Sequence, residues 1–179
     1  MKVIVLLANG FEEVEALTPV DVLRRAGAEV RTLSIHKEEK VTGAHAVTVM
    51  ADGVFTGEEE ADAVVLPGGL PGATNLAADE RVQKMIRSQL QKDKTVGAIC
   101  AAPLALDAAG VLAGRRFTAY PGVEADIREG THVNDGIVTD GPLITGKGPA
   151  FAMDFALMIT EQLFGREKRD EVAEGLLKK

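Results

Sequence analysis

Cysteine is almost absent from the sequence, and long apolar segments are missing altogether. The 179 residues include 1 cysteine, so no disulfide can form within the chain and nothing implies an oxidising compartment. No apolar run approaches the roughly 20 residues of a membrane-spanning helix. The apolar start at Met1–Ala8 gives way at once to Asn9, Gly10 and acidic residues, unlike a secretory signal peptide. We therefore expect a cytoplasmic protein that does not enter membranes.

Positive charge is also in short supply. Lys and Arg number 20 against 27 Asp and Glu, which gives a net charge of −7. This balance disfavours binding to nucleic acid or to anionic lipid. The 3 histidines lie apart, and no H-E-x-x-H spacing predicts a metal site. His36 and His132 stand in polar segments, so we expect both at the surface.

Apolar runs alternate with helical segments along the chain, whose length fits one domain over residues 1–179. The strongest predicted strands are Val3–Ala8, Glu29–Ile35, Ala63–Leu66 and Thr95–Ile99. The predicted helices are 12–26, 79–91, 101–110, 149–164 and 167–177. Runs that are apolar throughout are typical of strands buried on both faces. The alternation predicts an α/β fold with a doubly wound, mostly parallel sheet and helices on both of its faces.

Two local details stay open in this pattern. The first helix either begins near Glu13 and continues through Pro19, or Thr18 caps it and Pro19 occupies its first turn. His45–Met50 and Gly53–Thr56 are predicted as a short strand pair. Further strands are predicted at 116–119, 136–139 and 143–145.

Cys100 directly follows the predicted strand Thr95–Ile99, and a helix is predicted to begin at Ala101. Ligands of such folds bind outside the carboxyl ends of the strands. The position resembles a nucleophile elbow, although the G-x-S-x-G pattern is absent. A helix N-terminus favours negative charge, so we expect the pKa of the thiol to fall below its ordinary value of about 8.5. An isolated cysteine is more often a small buried hydrophobe, but this junction favours a functional thiol.

A second glycine-rich turn, Pro67–Gly72, follows another predicted strand. Paired glycines let backbone N–H groups face a ligand, and the N–H groups of Gly69 and Ala101 could form an oxyanion hole. A plain tight turn explains this stretch equally well. The turn is not a phosphate-binding P-loop, because it lacks the Gly-Lys-Ser/Thr ending.

Three glutamates follow the first strand. Glu12 and Glu13 fit a solvated helix start. Glu15 has apolar neighbours on both sides, which suggests a partly buried carboxyl with a raised pKa. Such a group could exchange a proton with Cys100 as general acid and base. The acidic cluster also disfavours a flavin or nucleotide phosphate in the same crevice.

Taken together, these motifs resemble the ThiJ/PfpI superfamily, in its Parkinsonism-associated deglycase branch. The resemblance covers nearly the whole chain, with several motifs in the same order and at matching separations. The matching stretches are Ala8–Glu15, Pro19–Gly27, Val65–Gly69, Ala98–Pro103 and Gly148–Ala150.

The resemblance implies a flavodoxin-like sheet, related to class I glutamine amidotransferases, and a homodimer. It implies that Cys100 is a reactive, oxidisable nucleophile and that Glu15 is its protonated partner. The turn at Gly68 and Gly69, with Ala101, would supply the oxyanion-binding amides. The implied activities need no cofactor: glyoxalase conversion of methylglyoxal to lactate, or repair of early glycation adducts. The substrate would be a small 2-oxoaldehyde or a glycated molecule.

Two positions depart from the family pattern. Tyr120 stands where many relatives carry a histidine near the cysteine. With a pKa of about 10, a tyrosine could donate a hydrogen bond but would be a poor base near neutral pH. His45 lies near the place of an arginine that helps to hold an anion in the human-like branch, so binding of an acidic product is in doubt.

Alternative functions use the same residues. Cys100 could be a redox sensor that is oxidised to sulfenic and then sulfinic acid, and chaperone-like roles also belong to the superfamily. Peptidase chemistry would need a histidine borrowed across a subunit interface. Amidotransferase chemistry needs a His-x-Glu pair late in the chain, and the sequence has none there.

Overall fold

The computed structural model describes residues 1–178, which form eleven strands and six α-helices. The strands are β1 Lys2–Leu7, β2 Glu29–Ser34, β3 Lys40–Thr42, β4 Thr48–Met50, β5 Gly53–Val54, β6 Ala63–Leu66, β7 Thr95–Ile99, β8 Arg116–Phe117, β9 Thr131–His132, β10 Ile137–Asp140 and β11 Leu143–Gly146. The helices are α1 Glu13–Arg25, α2 Gly72–Ala78, α3 Glu80–Gln91, α4 Pro103–Ala108, α5 Ala152–Phe164 and α6 Arg166–Gly175.

Seven strands form the central sheet in the order β10-β11-β7-β6-β1-β2-β5. All neighbours in it pair parallel except β10 and β11, which are antiparallel. Side chains of β1 alternate between two apolar clusters, with Ile4 on one face and Val5 on the other. Helices α2, α3 and α4 cover the first face, and α1 and α5 cover the second. The predicted doubly wound, mostly parallel architecture is therefore confirmed.

Helix α1 begins at Glu13 and continues through Pro19, which resolves the open alternative in favour of the longer helix. Pro19 and Leu23 of this helix are buried. Basic side chains in its last turn complement the negative end of the helix dipole. Gly27 then turns the chain at a φ of +88°, a conformation that favours glycine.

Several predicted boundaries and pairings are wrong. Strand β4 forms an antiparallel hairpin with β3, whereas β5 joins the central sheet beside β2. The residues of α2 were not predicted as a helix. The predicted helix from Ala101 begins only at Pro103, and the one from Pro149 begins with a 3₁₀ turn, Pro149–Phe151. Strand β8 pairs with β9 outside the central sheet. Among residues 1–178, no helix is both long and apolar enough to cross a bilayer.

Candidate active site

Cys100 lies at the carboxyl edge of the sheet, in the turn between β7 and α4, with a backbone φ of +64°. Its N–H donates to the carbonyl of Gly146 at 2.8 Å, and its carbonyl accepts from the N–H of Tyr120 at 2.9 Å. Left-handed backbone is unfavourable for residues other than glycine, and such residues concentrate at functional sites. Bonds on both sides hold Cys100 in this conformation.

Glu15 is 0% exposed and lies within hydrogen-bonding reach of the Cys100 thiol. Its Oε2 accepts from the N–H of Gly68 at 2.8 Å. Its Oε1 is buried and has no well-formed hydrogen bond to any of the described residues. A buried oxygen without a partner disfavours the charged carboxylate. The sequence predicted a partly buried Glu15, and its burial proves complete.

Gly68 allows the nucleophile and the carboxyl to meet. A Cβ at this position would lie 2.6 Å from the Cβ of Cys100 and 2.6 Å from Oε2 of Glu15. No side chain fits at those distances. The next residue, Gly69, has a φ of +84°. The N–H groups of Gly69 and Ala101 both lie close enough to the sulfur of Cys100 to lower the pKa of the thiol, so the two amides that the sequence singled out act on one atom.

Burial raises the pKa of both groups. The pKa of Glu15 rises to about 7. Burial, and then the neighbouring charge of Glu15, raise the pKa of the Cys100 thiol to about 12. The sequence predicted a lowered pKa for this thiol from the helix N-terminus, and that prediction is wrong. The effect of burial on the thiol pKa outweighs the effect of the two amides. Between these two pKa values the pair holds one proton, so thiol–carboxylate and thiolate–carboxylic acid are two placements of that same proton.

Glu13 is not the solvated residue that the sequence predicted, since it is only 8% exposed. Its Oε1 accepts from the N–H of His45 at 2.9 Å and from that of Val47 at 3.3 Å. Its Oε2 lies 3.1 Å from Nδ1 of His45. Burial alone would raise the pKa of Glu13, but its hydrogen bonds to the backbone and to His45 together lower it. Glu13 therefore shapes the hairpin tip, residues 43–47.

Glu12, Glu13 and His45 form the one group in the described chain whose ligand atoms could hold a metal ion, all lying within 4.8 Å of one another. This group does not have H-E-x-x-H spacing, because His45 is distant in sequence from the two glutamates. The same atoms already form an ion pair, with Nδ1 of His45 3.5 Å from Oε1 of Glu12. The hydrogen bond to Glu13, and then the charge of Glu12, raise the pKa of His45. A higher pKa makes a proton compete more strongly with a metal ion for this imidazole.

The segment before α1 joins the hairpin to the site. Phe11 accepts at its carbonyl from the N–H of Ala44 at 2.8 Å. One residue later, the N–H of Glu12 donates to the carbonyl of Gly68 at 2.9 Å. The hairpin tip and the turn that contacts Cys100 are therefore both bonded to one peptide unit, the one that joins Phe11 to Glu12.

Tyr120 and two histidines occupy positions that sequence reasoning described only in part. The Tyr120 side chain is half exposed, and its ring packs against Gly148. His36 and His132 are half-buried rather than exposed as predicted. Nε2 of His36 accepts from the N–H of Asn9 at 2.9 Å. The ring of His132 lies 5.6 Å from that of Phe117.

The sequence matches the DJ-1/PfpI family over residues 1–162. The chain belongs to the DJ-1/PfpI family. It is 40% identical over 178 residues to the protein dj-1beta of Drosophila melanogaster. The match covers 97% of this chain and 95% of the fly protein. The resemblance inferred from the sequence motifs is thereby confirmed.

Other DJ-1/PfpI members extend the comparison. A deglycase from Pyrococcus horikoshii is 38% identical over 154 residues, covering 84% of this chain and 92% of its own. A cysteine-to-alanine variant of a DJ-1 superfamily protein from Salmonella typhimurium superposes with a TM-score of 0.95 at 37% identity, covering 99% of this chain and 98% of that one. The chain spans 41% of the length of DJ-1 homolog B from Arabidopsis thaliana, which is 36% identical to it over 179 residues and covers 98% of this chain.

Proposed function

We propose that this protein converts 2-oxoaldehydes to 2-hydroxy acids without a cofactor, with Cys100 as nucleophile and Glu15 as proton carrier. The observation that supports this most directly is the pair itself. A thiol and a buried carboxyl share one proton at an edge where the amides of Gly69 and Ala101 converge. Those are the groups that covalent catalysis on an aldehyde requires.

The chemistry follows from the shared proton. With the proton on Glu15, the Cys100 thiolate attacks the aldehyde carbon and forms a hemithioacetal. The aldehyde oxygen takes the proton from Glu15, which becomes a carboxylate, and the amides of Gly69 and Ala101 are placed to stabilise charge on that oxygen. Glu15 then moves a proton from the former aldehyde carbon to the neighbouring ketone carbon through an enediol. The product is a thioester of a 2-hydroxy acid, which water hydrolyses to the free acid and the thiol.

Removal of early glycation adducts is a related activity of the same groups. Such adducts form when a 2-oxoaldehyde adds to an amine or a thiol. Attack by Cys100 on the adduct carbon, with release of the amine, gives the same hemithioacetal. The similarity to a protein named as a deglycase favours this extension.

Lactate formation tests the proposal. Methylglyoxal incubated with the purified protein and a chelator, without glutathione, should give lactate at a rate proportional to protein concentration. Chiral chromatography against D- and L-lactate standards identifies the product. Absence of lactate above the protein-free rate would show that the proposed reaction is wrong.

Redox sensing is a second candidate, favoured by the unpartnered Oε1 of Glu15. A protonated carboxyl oxygen at this place could hydrogen-bond a sulfinic acid on Cys100. The raised pKa of the thiol weighs against it, because peroxide reacts with the thiolate. Mass spectrometry of the proteolytic peptides after mild peroxide treatment tests this candidate: a gain of two oxygens on the peptide that contains Cys100 supports sensing. Peptidase chemistry has less support, since none of the histidine hydrogen bonds found within residues 1–178 reaches Cys100.

We also propose that the protein is a homodimer through an apolar patch on α1 and the β3–β4 hairpin. The patch consists of the exposed side chains Val14, Leu17, Val47 and Met50. Val14 follows Glu13, whose carboxylate accepts from the N–H of Val47, so the two halves adjoin. Exposed apolar surface of this kind marks protein interfaces.

Charge placed in the patch should separate the subunits. We expect the double variant Leu17→Lys, Met50→Lys to elute at half the mass of the wild type in size-exclusion chromatography with light scattering. Leu177→Lys, an exposed leucine outside the patch, is the control and should keep the wild-type mass. A wild type that elutes as a monomer at micromolar concentration would contradict the dimer.

A further inference from the structure

Large apolar side chains are exposed at three kinds of place in this chain. They are Met1 and Leu177 at the ends, Val14, Leu17, Val47 and Met50 in the proposed dimer patch, and Leu70 and Tyr120 beside the nucleophile. Only the last two are unaccounted for by a chain end or by the proposed interface. Their exposed fractions are 60% for Leu70 and 50% for Tyr120.

Tyr120 is fixed to the nucleophile through the backbone. Its N–H donates to the carbonyl of Cys100, whose own N–H donates to Gly146. The tyrosine ring packs against Gly148, where a Cβ would lie 3.3 Å from Cδ2 of the ring. The ring therefore lies against Gly148 while the backbone of the same residue is bonded to the nucleophile segment, and the side chain stays half exposed.

Leu70 is next to the nucleophile through the chain. It directly follows Gly69, whose N–H lies close enough to the sulfur of Cys100 to lower the pKa of the thiol. A large aliphatic side chain left exposed one residue from a thiol-binding amide supplies apolar surface to whatever binds that thiol.

Charge near the site points in the same direction. Glu12 and Glu15 are the carboxyls that act on each other here, and the imidazole of His45 is already paired with Glu12 and Glu13. A substrate that carries a carboxylate or phosphate would meet the negative charge of these glutamates. A neutral substrate is not repelled by this negative charge.

We propose that the site selects 2-oxoaldehydes with an apolar body, aryl or branched alkyl, over methylglyoxal, and that Leu70 and Tyr120 are the specificity-determining residues. This inference rests on the proposed function. The aldehyde and ketone carbons react at Cys100 and Glu15, while the body packs between the leucine side chain and the tyrosine ring. Aromatic and aliphatic groups gain binding energy from such burial.

The reaction remains balanced with such a substrate. Phenylglyoxal and one water give mandelic acid. The aldehyde carbon is oxidised to the acid while the ketone carbon is reduced to the alcohol, and Glu15 carries the proton between them. Neither an external oxidant nor a reductant takes part.

The test compares kcat/KM for phenylglyoxal and methylglyoxal in the wild type, Leu70→Ala and Tyr120→Ala. We expect the wild type to favour phenylglyoxal by at least about 10-fold, and each alanine variant to reduce that preference by about 10-fold. Tyr120→Phe should keep the preference, because it keeps the ring. Leu177→Ala is the control for loss of an exposed leucine. Preferences within twofold of each other in all the proteins would overturn the inference.

A second measurement does not depend on turnover. The chain has one cysteine, so the mass of the intact protein reports alkylation at Cys100 alone. We expect the rate ratio of N-benzyliodoacetamide to iodoacetamide to fall by about 3-fold in Leu70→Ala and Tyr120→Ala. If neither aldehyde is turned over, the proposed function fails, and this rate ratio still tests whether Leu70 and Tyr120 contact an apolar group that binds at Cys100. A rate ratio unchanged in both variants would overturn that role of the two residues.

Discussion

Replacing Cys100 by serine should abolish lactate formation from methylglyoxal, with a loss of at least about 1,000-fold in kcat/KM. A hydroxyl in the same place is a far weaker nucleophile, because its pKa lies beyond reach of the proton that Glu15 exchanges. The fold should survive, since serine is slightly smaller than cysteine and fits the same φ of +64°. Initial rates at several protein concentrations, with circular dichroism of both proteins, provide the measurement.

Cys100→Gly is the matched control for backbone strain. Glycine adopts positive φ without the steric cost, so this variant should unfold at a higher urea concentration than Cys100→Ser while having equally little activity. Full turnover in either variant would show that the sulfur does not carry the reaction.

Replacing Glu15 by glutamine should reduce kcat/KM by about 100-fold to 10,000-fold, the range usual for loss of a positioned general acid and base. In the wild type, kcat/KM should rise with pH through about 7, where the pair loses its first proton. Glutamine cannot titrate, so the variant should lose this inflection. A pH profile unchanged in Glu15→Gln would assign the inflection to another group.

The same substitution should make the protein more stable at alkaline pH. The pKa of Glu15 rises from 4.5 to about 7 on folding, so the folded state binds the proton more tightly than the unfolded chain. The contribution of Glu15 to stability is therefore fully present below pH 4.5 and is lost as the pH rises through 7, by about 3 kcal/mol. Glutamine carries no charge and escapes this loss. Urea unfolding measures this: the free energy of unfolding of the variant, relative to that of the wild type, should be higher at pH 8 than at pH 5.

Glu13→Gln is the control for removing a buried carboxylate. Its folded pKa is lowered, so its charge contributes stability that is present above the unfolded value and lost only as the pH falls below it. The variant should be less stable than the wild type, and its free energy of unfolding relative to the wild type should not rise between pH 5 and pH 8. If both variants behaved alike, burial of Glu15 would not be the cause of its raised pKa.

Much of the fold could be predicted from the order of apolar runs. Strand β6 is apolar at every position and β7 has one polar residue, Thr95 at its start, and the sequence marks their ends with Pro67 and Cys100. Glu15 stood out by the same reasoning, since it is an acidic residue between apolar neighbours. These are local signals, and they placed the main residues of the site at one edge of the sheet.

Long-range contacts explain what could not be predicted. The β3–β4 hairpin depends on Glu13, a carboxylate that is about 30 residues away from the amides it binds, and a helix start gives no sign of that. The direction of the thiol pKa depended on how deeply Cys100 is buried beside Glu15. Local pattern shows a helix N-terminus, but it does not show which of burial and hydrogen bonding prevails.

The peptide unit that joins Phe11 to Glu12 has a mechanical consequence. Its carbonyl holds the hairpin tip and its N–H holds Gly68, which leaves no slack between an exposed loop and the turn beside the sulfur. A protease that cuts within residues 43–47, or a ligand that pulls the tip away from Glu13, will also loosen Gly68. Thiol reactivity in this protein will therefore respond to events at a surface that never touches the thiol.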